Sequence, residues 1–174
     1  MILTLDIGNT NLKTAVFDGE ALAQYWRLKT DILATSDEIG VTLMNLFRHN
    51  NLPVSAIDGI IMSSVVPTIN FTMEHMCRSY FGMEPMLVVP GVKTGINIKY
   101  ENPRALGSDR SANAVAAQPI YGGPCIFTAF GTAPTFGVVS VTAEFIDGAI
   151  CPGIQLSPEA SVQGAATLPQ VEIG

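Results

Sequence analysis

The sequence predicts an α/β protein built as two lobes, the second incomplete, and three observations carry that prediction. The N-terminal half orders its elements strand, strand, strand, helix, strand, helix, strand. Its later strands are continuous apolar runs, the pattern of strands covered by helices rather than left half in water. After Gly122-Gly123-Pro124 the chain starts the same succession again with three more strands. The expected division is residues 1–118 for the first lobe and 119–174 for the start of the second. With 174 residues, 48% of them hydrophobic and only 14% charged, the chain has enough apolar material for a packed core.

Ile2 to Ile7 and Asn11 to Phe17 read as two strands, Asp18-Gly19 as a tight turn, and Leu22 to Leu28 as a third strand. Thr35 and Glu38 have capping-box spacing, and Ile39, Leu43, Leu46 and Phe47 repeat at helical period until Asn50, Asn51 and Pro53. Ile57 to Val66 reads as a buried strand. Pro67 then suits the first turn of a second helix whose Met73, Met76, Cys77 and Tyr80 share a face, with Gly82 as its stop. Met86 to Val89 is a short strand, and the Gly/Pro-rich stretch from Pro90 to Pro103 interrupts the pattern. A helix from Ser108 to about Gln118 is expected to end or kink at Pro119. Cys125 to Phe130, Phe136 to Val141 and Glu144 to Ile150 are the three strands of the second lobe, and Ser157 to Leu168 is a weak helix.

Charge removes some function classes. Nine Lys and Arg against fifteen Asp and Glu leave a net charge of −6, without the basic footprint of a nucleic-acid or anionic-membrane partner. Cys77, Cys125 and Cys151 have no CxxC spacing, and with His49 and His75 they assemble no zinc motif. Reduced thiols, no basic leader and no apolar run long enough for a bilayer give the expectation of a soluble, cytoplasmic protein. From Ser111 onward there is no Lys or Arg, so this stretch is expected to be mostly buried, or else to expose an apolar patch.

Three segments have the residue types for chemistry. Asp6-Ile7-Gly8-Asn9-Thr10-Asn11 falls between two strands, where main-chain N–H groups can cradle a phosphate while Asp6 faces hydrated Mg²⁺; a Gly/Asn-rich hairpin turn accounts for the same residues. Phe130-Gly131-Thr132-Ala133 stands at the corresponding place in the second lobe. Gly107-Ser108-Asp109-Arg110 opens a helix, where Ser or Asp ordinarily caps exposed N–H groups. The functional alternative has Asp109 accepting a proton from a substrate hydroxyl while Arg110 pairs with a substrate carboxylate.

Asp6 to Asn11 and Gly107 to Arg110, with Ile61-Met62-Ser63-Ser64-Val65-Val66-Pro67, Pro90-Gly91-Val92-Lys93-Thr94-Gly95, Tyr100-Glu101-Asn102-Pro103 and Gly148-Ala149-Ile150-Cys151-Pro152-Gly153, resemble type III pantothenate kinase, a family that includes the Bvg accessory factor-like proteins. The resemblance runs through essentially the whole chain in order. It implies the acetate and sugar kinase/Hsc70/actin-like fold with two ribonuclease-H-like lobes, a homodimer, and transfer of the ATP γ-phosphoryl group to pantothenate, the first step toward coenzyme A. It implies ATP phosphates at Asp6, Ile7, Gly8, Asn9, Thr10, Asn11, Leu12 and Lys13 and at Thr132, with Mg²⁺. Pantothenate contacts are implied at Tyr100, Gly107, Ser108, Asp109 and Arg110, with Asp109 as the proton acceptor.

Four positions depart from the family pattern, the mildest being Ser108 in place of a usual Ala. Ala129 stands where the family has an Asp that serves a monovalent-cation site (K⁺ or NH₄⁺), Pro134 replaces a usual Thr, and Gly137 a usual Asp. Family members also continue beyond Gly174, and the missing part supplies a further Thr to the pantothenate site. The alternative expectation is therefore a catalytically weak or inactive ATP- and pantothenate-binding paralogue acting through protein contacts.

Overall fold

The computed structural model describes residues 1–100, 106–154 and 156–164. Two compact units form, Met1–Val89 and Pro90–Gly174.

In the first unit β1 (Ile2–Ile7), β2 (Asn11–Asp18) and β3 (Ala21–Lys29) make an antiparallel meander, and β4 (Gly59–Ser64) and β5 (Met86–Leu87) add in parallel on the other side of β1, giving the order β3-β2-β1-β4-β5. A parallel strand needs a crossover, which α1 (Ser36–His49) and α2 (Asn70–Met76) supply. The capping box is formed: the Thr35 N–H donates to Glu38 Oε2 at 2.8 Å and the Glu38 N–H to Thr35 Oγ1 at 3.2 Å. Alternation along β1 sends Leu3, Leu5 and Ile7 into one core with Val16, Leu43, Phe47, Met73 and Met76. Phe47 is its aromatic centre, with ring centroids 5.4 Å from Trp26 and 5.6 Å from Phe81. Gly82 takes the left-handed conformation (φ 68°) that closes the wider turn Cys77–Phe81 after α2, as its position after the apolar face predicts. The strand expected over Ile57 to Val66 is shorter, because residues 54–56 form a 3₁₀ turn and Pro67 opens another.

The second unit has the sheet order β6-β9-β8-β7, from β6 (Asn97–Ile98), β7 (Cys125–Ala129), β8 (Thr135–Val139) and β9 (Glu144–Asp147). The three expected strands form an antiparallel meander like that of β1 to β3. Between them, α3 (Ser108–Tyr121) precedes β7, and α4 (Leu156–Gly164) follows β9.

Three expectations change here. The Pro90 to Pro103 stretch contains β6, which lies parallel to β9 through the Lys99 N–H bond to the Phe145 carbonyl at 2.8 Å. The helix α3 passes through Pro119, which removes one amide donor near an end that Gly122 terminates anyway, its N–H bonding the Gln118 carbonyl at 2.8 Å. The helix α3 packs with the second sheet, where Ala114 joins Leu106, Val139 and Phe145 in one cluster within the unit Pro90–Gly174. Finally, the cation-free stretch is not mostly buried, since Ile120, Tyr121, Ile126, Phe130 and Val141 are each about two-thirds exposed or more among the described residues. No described helix is long and apolar enough to cross a membrane.

Candidate active site

The β1–β2 register pairs Asp6 with Lys13 and Ile7 with Leu12, leaving residues 8–10 as the connecting turn. Directly opposed positions share a face, so the Lys13 ammonium reaches Asp6 Oδ2 at 3.0 Å; both side chains are close to half exposed. Such a pair contributes about 0–1 kcal/mol, so a polyphosphate or a metal ion can rearrange it at little cost. Ile7 and Leu12 point into the core and offer the turn only main-chain groups. The Gly8 N–H is already bonded to the Asn11 carbonyl at 3.0 Å, whereas Asn9 is exposed and makes no hydrogen bond among the described residues.

Thr30, which the sequence reading did not single out, holds this turn from the end of β3. Its hydroxyl donates to the Gly8 carbonyl at 2.7 Å and its N–H to the Thr10 carbonyl at 3.0 Å. Only the pairing of Asn11 with Lys29 brings the two segments together, so the signal lies in register rather than in any local motif.

At the start of α3 the N-cap residue is Gly107, which has no side chain to cap with, and Ser108, Asp109 and Arg110 occupy the first three helical positions. Asp109 is therefore not the cap. It sits in the first turn, where the helix dipole favours a carboxylate, and forms no ion pair among the described residues. Arg110 is only 4% exposed, with Nε and Nη2 lacking any hydrogen-bond partner among the described residues. Its guanidinium carbon lies 5.2 Å from the Tyr100 ring centre and 5.6 Å from that of Phe145. Burying an ion costs several kcal/mol, and a desolvated cation–π contact returns about 2 kcal/mol or somewhat more. The balance leaves a buried cation whose Nε and Nη2 have no partner among the described residues, a site that suits a carboxylate or another anion.

The second Gly-Thr turn follows β7. Gly153 lies so close to it that a Cβ there would overlap the Thr132 carbonyl. Pro134 has no N–H to offer a ligand, and its carbonyl accepts the Cys151 N–H at 2.9 Å. Gly137 lies opposite Phe127 in the ladder with that ring over its Cα, so any side chain at 137 would overlap it. Ala129 presents no side-chain oxygen.

A family model described as type III pantothenate kinase matches residues 2–174. The chain belongs to the type III pantothenate kinase family. Among solved structures it is similar to a Ppx/GppA family member from Aquifex aeolicus, at 11% identity and TM-score 0.51, covering 98% of this chain and 56% of that one. It is also similar to a ROK hexokinase from Thermus thermophilus, at 17% identity and TM-score 0.49, covering 80% of this chain and 46% of that one. The chain thus spans about half the length of these two solved proteins. The fold is the acetate and sugar kinase/Hsc70/actin-like one, in keeping with the β3-β2-β1-β4-β5 order of the first unit.

Within this pantothenate kinase family member, the structure keeps Asp6 and Lys13 together on one sheet face, and Tyr100, Arg110 and the helix start from Gly107 together in the second unit. Glu101, Asn102 and Pro103 of the resemblance lie outside the described residues. Phe145 and Thr30 are the contacts that sequence reasoning missed.

Proposed function

We propose that the protein transfers the γ-phosphoryl group of ATP to the primary hydroxyl of pantothenate, giving 4′-phosphopantothenate and ADP. The observation that carries this reading is Arg110: a buried guanidinium with two nitrogens that have no partner among the described residues, one residue from a carboxylate that does not cap its helix and pairs with no cation among those residues. A carboxylate substrate with a hydroxyl group has use for both. Arg110 binds the acid end, and Asp109 accepts the hydroxyl proton as the oxygen attacks phosphorus.

In the first unit the turn at residues 8–10 offers the Asn9 amide to phosphate oxygens, and Lys13 supplies a positive charge beside it. Asp6 fits Mg²⁺, an ion that commonly takes one or two protein carboxylates and completes its shell with water and phosphate. When bound with ATP, Mg²⁺ supplies charge neutralisation of the transferring group. A monovalent cation fits less well, because Ala129 gives it a main-chain carbonyl at most. Thr132 belongs to the nucleotide side of the same proposal, as do a cytoplasmic location and a homodimer.

A second reading, a binder without turnover, is favoured by Ala129, by Pro134 and by the Phe127 ring that fills the space over Gly137. Incubating the chain with ATP, Mg²⁺ and pantothenate, and following product by ³¹P NMR, separates the two. Accumulating 4′-phosphopantothenate is the expected result. Binding of both ligands by calorimetry without product supports the binder, and binding of neither overturns both readings.

A further inference from the structure

We propose that Gly148 and Gly153, the two ends of one six-residue segment, are positioning residues with separate duties: Gly148 sets the Arg110 guanidinium for the acid substrate, and Gly153 sets the Thr132 turn for the nucleotide. This rests on the kinase reading above and assigns its two substrates to two points of one segment.

The segment Gly148-Ala149-Ile150-Cys151-Pro152-Gly153 follows β9 and is tied to β8 and its preceding turn by main-chain bonds. The Phe136 and Ala149 N–H groups bond each other's carbonyls at 2.8 and 3.2 Å, and the Cys151 N–H bonds the Pro134 carbonyl at 2.9 Å. The backbone path is thereby fixed by three bonds at two residues, Ala149 and Cys151. At its first end a Cβ on Gly148 would overlap both Arg110 Nη2 and the Phe136 carbonyl, so the absence of a side chain is what lets the guanidinium lie there. Tyr100 and Phe145 approach the same group, and neither can accept a strong hydrogen bond through its ring face. Arg110 is thus held by contacts that leave Nε and Nη2 unpaired among the described residues. At its other end a Cβ on Gly153 would overlap the Thr132 carbonyl and approach that of Gly131 at 3.1 Å. Among the described residues no side-chain hydrogen bond joins the two ends, so disturbing one need not disturb the other.

The test is a crossed comparison on the full 174-residue chain. Gly148→Ala is expected to weaken pantothenate by roughly tenfold or more, the loss of a charge-assisted contact, while leaving MgATP within about twofold. It is also expected to leave pantothenol, in which an alcohol replaces the carboxylate, within about twofold. Gly153→Ala is expected to do the reverse, weakening MgATP and sparing pantothenate. Equal losses of both ligands in each variant would mark a merely structural role and overturn the proposal.

Both alanines meet backbone, so NMR of the unaltered chain provides a reading that needs no variant. Pantothenate should shift the Arg110 Nε–H and Gly148 amide signals, and MgATP those of Thr132 and Gly153. Shifts at all four positions with either ligand overturn the division of duties. A parent chain that binds pantothenate and pantothenol equally refutes the Arg110–carboxylate reading and the duty given to Gly148 with it. A parent with normal ligand selectivity and no crossed pattern refutes only the proposal about the glycines.

Discussion

The Thr30 hydroxyl donates to the carbonyl of Gly8 at 2.7 Å, and the Thr30 N–H donates to the carbonyl of Thr10 at 3.0 Å, so one residue at the end of β3 grips both sides of the β1–β2 turn. Thr30→Val keeps the shape and the main-chain bond but removes the hydroxyl, at a cost of about 1 kcal/mol in stability. The turn then loses one of its two anchors. The expected result is a KM for ATP raised about five- to tenfold with the KM for pantothenate unchanged, and Thr30→Ser close to the parent. Steady-state kinetics on the three proteins decides it, and an equal rise in both KM values refutes a local role.

Asp109→Asn is expected to remove turnover by a factor of about 10² to 10⁴, the usual contribution of a general base. Folding should hardly change, since Gly107 is the N-cap and Asp109 has no ion pair among the described residues; the lost dipole interaction is about 0.3–1 kcal/mol. Thermal unfolding and product formation measured on the same sample separate these effects. A midpoint lowered by many degrees would assign Asp109 to stability, and turnover within a few-fold of the parent would remove it from the chemistry.

Much of this was legible before any coordinates, and the reason differs from element to element. The capping box of Thr35 and Glu38, the stop at Gly82 and the alternation of β1 and β2 are local patterns, and they form where their spacing predicts. Arg110 was legible as a candidate from its place at a helix start, but its burial between Tyr100 and Phe145 was not. That arrangement depends on β6 pairing with β9, and a two-residue strand in a Gly/Pro-rich stretch has no periodicity to detect. Thr30 was hidden for the same reason, being polar, half-buried and informative only once register places it beside Thr10. The exposed Ile126 and Phe130 depend on what lies against β7, which composition does not reveal.

The three thiols should react in an order set by burial. Cys151 is exposed and Cys125 half-buried, whereas Cys77 is fully enclosed in the first core and its thiol is pushed up to about 12, chiefly by that burial. Since the thiolate is the reactive form, an aromatic disulfide reagent at pH 8 should modify Cys151 first and Cys77 only on unfolding. Mass spectrometry of partially labelled protein reads the order. Early labelling of Cys77 in folded protein would mean that α2 opens far more readily than its packing allows.

Helix α1 and the turn after α2 meet at Gly40, where an added Cβ would overlap the ring of Tyr80. The Tyr80 hydroxyl donates to Asp37 Oδ1 at 2.9 Å, one turn before Gly40, so the ring is held from its far end and cannot simply swing away. Helix propensity alone favours alanine over glycine by about 1 kcal/mol, while overpacking costs about 1–3 kcal/mol. The second effect should win, and Gly40→Ala is expected to lower stability. With the ring removed by Tyr80→Ala, the same change should become stabilising, and this reversal of sign is the measurement that isolates the contact. The Asp37 bond favours the protonated phenol and raises the Tyr80 pKa above its ordinary value of 10.0. Its contribution is therefore complete below pH 10 and lost as the pH rises through the raised value. Urea unfolding of the parent and of Tyr80→Phe should accordingly differ at pH 8 and converge at strongly alkaline pH. No difference at pH 8 would mean that the hydroxyl adds nothing and that ring packing alone holds α1 to this turn.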